Sequence, residues 1–337
     1  LKDAGNLSQL TNEEQSVILN DLSPVISPQL IDEAPLNQSF SFAFGDSIML
    51  SKDGDRRLGY MASITHSRSF KSRRNAPERR YQFDRGVDGS VLVPRYDISV
   101  DESENNVNLG GLFNISLQLS SDSEIGLKNF YNQSGSDESI MQTGANFSSE
   151  DLFLRESRIH FTERSIQSNQ LYGKHMVTGL GDATFEWDYS KTKSAQSEPD
   201  YVLFFDGLDL DDFEAVGGDF DALDPSDWKF PTGFTNRRLY RDLEETGDEY
   251  GFDVELPNFF GDNDGSYLKF GYRNMKSDRS YAQSSFGWDD GDHFFDYSGD
   301  RDHFLSSDNI DVDGNGETAL VMSNLTDAFP EYSGVRD

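Results

Sequence analysis

The chain has 337 residues, with 61 acidic side chains against 29 basic ones and a formal charge of −32. Such a field repels nucleic-acid phosphates and anionic lipid headgroups, and it suits partners that are cationic or bridged by divalent ions. Cysteine is absent, which excludes a disulfide framework, a thiolate metal site and a cysteine nucleophile, and no stretch has the apolar length of a membrane-spanning helix.

Hydrophobic residues make up only 35% of the chain, yet aromatics reach 13%. Low hydrophobicity with high charge is the composition of disorder, but disordered chains are poor in aromatics. A β-barrel reconciles the two, because alternation and polar loops dilute its lipid-facing residues.

Residues 1–37 read as a connector, with one short helix over 12–22 followed by Pro24, Pro28 and Pro35. The N-terminus has no signal-peptide pattern and no initiator Met, so a longer parent chain is expected. From residue 38 the pattern changes to period two, the signature of strands.

In residues 38–46, Phe40, Phe42 and Phe44 alternate with Ser39, Ser41 and Ala43. Residues 57–67 put Leu58, Tyr60, Ala62 and Ile64 opposite Gly59, Met61, Ser63 and Thr65, with an Asp53-Gly54 hairpin turn between the two strands. A second hairpin joins residues 107–120 to 124–132 through Ser121-Asp122-Ser123. A third joins a poorly alternating strand over 153–174 to 183–191, where Phe185, Trp187 and Tyr189 alternate with Thr184, Glu186, Asp188 and Ser190. A fourth joins 249–256 to 267–276 through the glycine-flanked turn at 261–265.

The expectation is therefore about eight strands in four hairpins. Between hairpins the chain reads as long loops over 68–106, 133–152, 192–248 and 277–337. Short turns on one rim and long loops on the other are the layout of outer-membrane barrels. The fold class expected is all-β: a partial antiparallel up-and-down transmembrane β-barrel spanning residues 38–337. Its polar face, with Glu186, Asp188, Asp253, Glu255, Lys269 and Arg273, would line a wet lumen.

A family becomes visible in the order of local motifs. Phe161-Thr162-Glu163-Arg164 leads to Gly173-Lys174-His175, then to Trp187-Asp188-Tyr189 and to Glu198-Pro199-Asp200. Upstream stands Arg57-Leu58-Gly59-Tyr60, and downstream Asp253 through Pro257 with Leu268-Lys269-Phe270-Gly271. From about Ser39 to Arg279 this order resembles the barrel of TonB-dependent outer-membrane receptors. The resemblance implies a bacterial outer-membrane location amid lipid and lipopolysaccharide, active uptake of a scarce small-molecule nutrient such as a siderophore or carbohydrate, and no enzyme activity. It also implies coupling to the TonB complex through a plug domain, which these residues do not contain. Two alternatives stand beside it: a passive porin-like barrel, and a secreted calcium-dependent adhesion or carbohydrate-binding β-domain.

Among candidate sites, Asp311, Asp313, Asn315 and Glu317 resemble the first half of a calcium loop, but Met322 stands where the closing glutamate belongs. No other cofactor is expected. Residues 205–227 concentrate carboxylates, including Asp206 and Asp209, among aromatics, and read as a solvated loop more readily than as a cation trap. Asp289, Asp290, Asp292, His293, Asp296 and His303 are a weak transition-metal set. No grouping of nucleophile, histidine and acid points to catalysis.

Overall fold

The computed structural model describes residues 7–22, 25–29, 31, 33–86, 89–147, 152–219, 222–230, 236–257, 266–291, 295 and 297–325. Nine strands form one antiparallel sheet in chain order: β1 (Gln38–Met49), β2 (Arg57–Gly86), β3 (Gly89–Ser120), β4 (Ser123–Asn146), β5 (Leu152–Val177), β6 (Ala183–Asp209), β7 (Arg237–Pro257), β8 (Tyr267–Asp290) and β9 (Leu320–Asn324). The sheet is open, and β1 and β9 each have a neighbour on one side only.

The four hairpins lie where alternation places them. Gly54 takes the left-handed conformation at the first short turn and Gly181 at the third, where φ is +81° and +70°, as a backbone reversal without a Cβ allows. The turn at 261–265 lies outside the described residues.

The expected long loops are corrected. Residues 68–86 and 89–106 are continuations of β2 and β3, residues 133–146 continue β4, and β8 runs on to Asp290. Among the described residues there are nine strands rather than eight, and the irregular 153–174 segment is a full strand, β5. Alternation is faint along much of these extensions, where Ile98 and Val100 of β3 form a small buried cluster with Leu154 of β5, yet the backbone ladder continues. Arg73 pairs with Glu102 across it at 2.7 Å, Arg79 with Asp97 at 2.9 Å and Lys71 with Glu104 at 3.4 Å. Each such exposed pair contributes about 0.2–1 kcal/mol, so register here rests chiefly on the ladder itself.

The turn-distant end carries a packed cap. Helix α1 (Asn12–Asn20) starts in a capping box: Glu14 N–H donates to Thr11 Oγ1 and Thr11 N–H to Glu14 Oε2. It is held on β9 by Gln15, whose Nε2 donates to the Leu7 carbonyl and whose Oε1 accepts from Met322 N–H. Two short helices, α2 (Leu210–Ala215) and α3 (Ser307–Ile310), complete the cap. The main core of the protein lies here: Phe204 of β6, Phe286 and Trp288 of β8, and Leu320 and Met322 of β9 pack with Leu7, Leu19, Ile26 and Phe304. The Phe304 ring meets Phe204 edge-on at 4.8 Å and Trp288 at 5.4 Å, the geometry aromatic pairs prefer.

One carboxylate ties this cap to the sheet. Asp206 is fully buried and accepts from Arg155 of β5, from Arg301 of the β8–β9 connection and from the Tyr297 hydroxyl at 2.6 Å. Arg155 also lies over the Trp228 ring at 3.7 Å, and Arg301 donates at 2.7 Å to the Arg155 carbonyl. Burial and the adjacent Asp206 hold the Tyr297 hydroxyl well above its ordinary pKa, so it remains a donor. Reading 205–227 as a solvated loop fails at this residue, because β6 continues to Asp209 and Asp206 is inside.

Asp206→Asn leaves two guanidinium groups around a neutral amide, and breaking such a buried cluster costs about 3–5 kcal/mol. Hydrogen exchange should speed up across residues 297–305 while β2 to β4 keep their protection. Unchanged exchange in that segment would refute the assigned role of Asp206.

Candidate functional site

The register divides the turn-proximal half of the sheet into two chemically different faces. One face is apolar. A single row across it contains Ile48, Leu58, Leu117, Ile125, Gly173, Trp187, Phe252 and Tyr272. The next row away from the turns contains Tyr60, Ile115, Leu127, Leu171, Tyr189 and Tyr250. These side chains are not covered: Phe42 is 60% exposed, Phe44 52% and Phe270 51%. Above them the same face turns polar, with Lys191, Asp248 and Lys276 side by side.

The apolar band runs obliquely to the rows. Its upper border lies at Phe40 on β1 and Leu109 on β3, drops to Tyr131 on β4, then to Leu171, Tyr189 and Tyr250, and ends at Tyr272 on β8. That descent is roughly 27 Å along the strands over roughly 34 Å of strand spacings. The strands are therefore inclined by roughly 40° to the normal of the band. Its height along that normal is roughly 16 Å at β6 and roughly 27 Å at β3.

Local packing explains two of the sequence motifs. A Cβ on Gly173 would lie 2.4 Å from the Trp187 indole, so the glycine makes a seat for that ring. His175, two residues on, accepts the indole N–H at 3.1 Å and bonds Ser123 Oγ at 2.7 Å. Gly173, His175 and Trp187 are thus one packing unit across the third hairpin. On the other face Gly126 seats the Tyr172 ring in the same way, and the Tyr172 hydroxyl donates to Glu124 at 2.8 Å. Nothing in the local pattern of either strand announced that second pair.

The polar face brings together the side chains assigned to it from sequence. Lys174 and Lys269 flank Glu186 at 2.7 and 4.0 Å, and Arg273 binds Asp188 at 3.1 Å and also Glu249. Small residues crowd this face too: Gly45, Gly59, Gly126, Gly251 and Gly271 all point here.

Higher on the polar face stands a network centred on Glu198. It is 5% exposed, accepts from Gln196 Nε2 at 2.8 Å and Arg241 Nη1 at 3.1 Å, and lies 3.2 Å from His160 Nε2, which also bonds Thr162 Oγ1 at 3.1 Å. The His160 ring packs on Tyr201 at 4.3 Å. The Glu198-Pro199-Asp200 motif, expected at the start of a loop, lies inside β6 at a β-bulge. Proline suits that position because it has no N–H to give to the ladder. The bulge sends the two carboxylates to opposite faces: Glu198 to Arg241, and Asp200 to fully buried Arg238 at 2.7 Å. Burial pushes the Asp200 carboxyl up against the pull of Arg238, and it raises Tyr240 beside them to about 12.

The calcium-like loop closes on itself. Asp313 Oδ1 accepts from the N–H groups of Asn315 at 2.7 Å and Glu317 at 3.0 Å. Asp311 turns away to α1, accepting from Asn20 Nδ2 at 2.9 Å. Among the described residues no three histidine or acidic groups converge on a point that could hold a metal. Of the weak transition-metal set, Asp292, His293 and Asp296 lie outside the described residues, and His303 bonds Ser306 and faces Asp308 within the cap.

No protein family, no curated protein and no solved structure matches the chain. The geometry alone carries the functional argument.

Glu198→Gln removes the charge that Arg241 pairs with. Hydrogen bonds to charged groups contribute about 1.5–3 kcal/mol, and a loss of that order is expected in denaturant unfolding followed in detergent. Glu138→Gln, on the rim of the same network, should cost far less; equal losses would deny Glu198 its central place.

Proposed function

We propose that this chain is a section of the wall and outer loops of a TonB-dependent outer-membrane receptor, a ligand-gated importer that carries out no chemistry of its own. The tilted, exposed apolar band on one face of the sheet is the observation that carries this reading. Outer-membrane strands tilt by about 35–45° and bear an apolar band about 25 Å tall; the tilt found here is within that range and the band reaches that height at β3, though it narrows toward β6. A soluble sandwich gives no reason for a band oblique to its rows, because it buries whole inward faces against a second sheet.

Three further features support the reading. The band abuts the short turns, which then form the periplasmic rim. The tyrosines Tyr131, Tyr189, Tyr250 and Tyr272 lie along its upper border, where amphipathic rings sit at a membrane interface. The polar face, with its ion pairs over Glu186 and Asp188, serves as the wetted inner wall. The cap and the strand extensions then stand above the membrane on the extracellular side, where the receptor family takes its ligand. The ordered motifs from Arg57 to Gly271 fit the same family. Plug movement by the TonB complex would be the driving step, carried by a domain that these residues do not include.

The three tryptophans make the reading testable. Trp187 lies in the band, whereas Trp228 and Trp288 belong to the cap. In bilayers with brominated acyl chains, Trp187 emission should be strongly quenched and that of the cap tryptophans spared, as read from single-tryptophan variants. Phe270→Arg should weaken insertion by about 2–4 kcal/mol. A chain that stays monomeric in buffer without detergent, with Trp187 unquenched by such vesicles, sinks the proposal.

A further inference from the structure

The inner polar face carries a shallow depression of about 290 Å³, lined by Asn132, Ser134, Arg164, Ile166, Gln196 and Leu243 among others. It lies on β4 to β7 directly below the Glu198 network, one row further toward the turns. Its chemistry is unlike that of the chain around it. In a protein with 61 acidic residues, no carboxylate lines it. Amides and hydroxyls dominate, with the apolar side chains of Ile166 and Leu243 between them.

Arg164 is its one charged group, and its position is fixed in advance. Arg164 Nε donates to Gln196 Oε1 at 2.9 Å, and Gln196 Nε2 donates to Glu198 at 2.8 Å. Glu198, held as an acceptor by Arg241, sets which way the Gln196 amide points. Gln196 in turn fixes the Arg164 guanidinium by its Nε. The two Nη groups have no acceptor among the described residues, and Arg164 makes no ion pair there. A guanidinium with both Nη groups free is a fork matched to a carboxylate.

The geometry points to this depression as a binding station for an acidic saccharide, that is, a uronate unit. Its carboxylate would sit on the Arg164 Nη groups, its hydroxyls on Asn132, Ser134 and Gln196, and its apolar ring face on Leu243 and Ile166. The inference rests on the receptor reading for its biological sense, since it places the ligand on the inner wall. Binding itself is measurable in detergent and does not depend on membrane insertion.

The test is calorimetric titration of the full chain in detergent with trigalacturonate, with its fully methyl-esterified form and with inorganic phosphate. Trigalacturonate should bind at least tenfold more tightly than the ester, and phosphate should not displace it. Arg164→Gln should lower trigalacturonate affinity at least tenfold and abolish the preference for the acid over the ester. Arg164→Lys should keep a preference for the acid, which separates loss of charge from loss of fold. Equal affinity for acid and ester, displacement by phosphate, an unchanged Arg164→Gln variant or no binding at all would each overturn the assignment. If the tryptophan of the band is quenched by lipid while trigalacturonate fails to bind, the receptor reading stands and only the ligand class is wrong.

Discussion

Everything else in this protein depends on the antiparallel backbone ladder, which holds side-chain phase across eight strands throughout the apolar band and shifts it only at bulges outside the band. A β-strand offers one chemical choice per residue, because successive side chains point to opposite faces. With register locked, each strand adds its odd or even set to a shared surface, and the apolar band arises from that addition. No residue of the band is individually unusual. Phe42, Ile115, Tyr189 and Phe270 acquire meaning because the ladder puts them on one face at positions that drift steadily toward the turns. A slip of one residue would send every one of them to the polar face, so the packing units at the third hairpin matter. Gly173 with Trp187 and Gly126 with Tyr172 interlock large rings into spaces that only glycine leaves, one pair on each face of neighbouring strands.

The same strands solve a different problem at their far ends. There the sheet leaves its apolar band behind, and stability has to come from a compact core. The cap supplies one from chain segments distant in sequence: α1, the β6–β7 connection and the β8–β9 connection. Asp206 is the point where these meet the sheet. A lone buried carboxylate would be prohibitively costly, but two guanidinium groups and a hydroxyl leave it fully paired. Such a cluster specifies one docking arrangement more than it adds stability, since its desolvation cost offsets much of its attraction. Hydrophobic packing around Phe304 and Trp288 supplies the larger favourable term.

The hairpins were readable in the sequence because their signals are local. Asp53-Gly54 and the Gly179-Leu180-Gly181 stretch mark reversals, and alternation flanks each. The polar extensions were not readable, because period-two patterning reports a chemical difference between faces. Along Arg73 to Arg80 of β2, where nearly every side chain is exposed, the strand persists with no pattern to betray it, although on the paired stretch of β3 Ile98 and Val100 alternate with Asp97 and Ser99 and are buried. Glu186, Asp188 and Arg273 are legible as sharing one face, as the register places them, since their hydrophobic neighbours alternate with them. Asp206 was misplaced because its partners, Arg155 and Arg301, lie 51 and 95 residues away in sequence. A carboxylate amid other carboxylates looks solvated until the fold brings cations to it. The Glu198 network escaped notice for the same reason.

The Glu198-Pro199-Asp200 bulge links the two regimes of the sheet. Without an extra residue in β6, the alternation that places Trp187 and Tyr189 on the apolar face would carry Val202, Phe204 and Asp206 to the polar one. The bulge shifts the count by one between Glu198 and Tyr201. Val202 and Phe204 therefore pair opposite Ile159 and Ser157, on the same side of the sheet as the band. The cap core builds on that side, and the opposite side keeps Tyr201, His160 and the arginine-bearing wall below them. One inserted residue thus decides on which surface the main cap core packs. Glu198 and Asp200 secure the inserted residue from both sides, each by an arginine of β7, so the motif acts as a phase switch in the strand. Its position just above the polar belt, beyond the reach of the apolar band, is where such a switch has to sit. Placed lower, it would turn the aromatic residues of β6 to the polar face and break the continuity of the band.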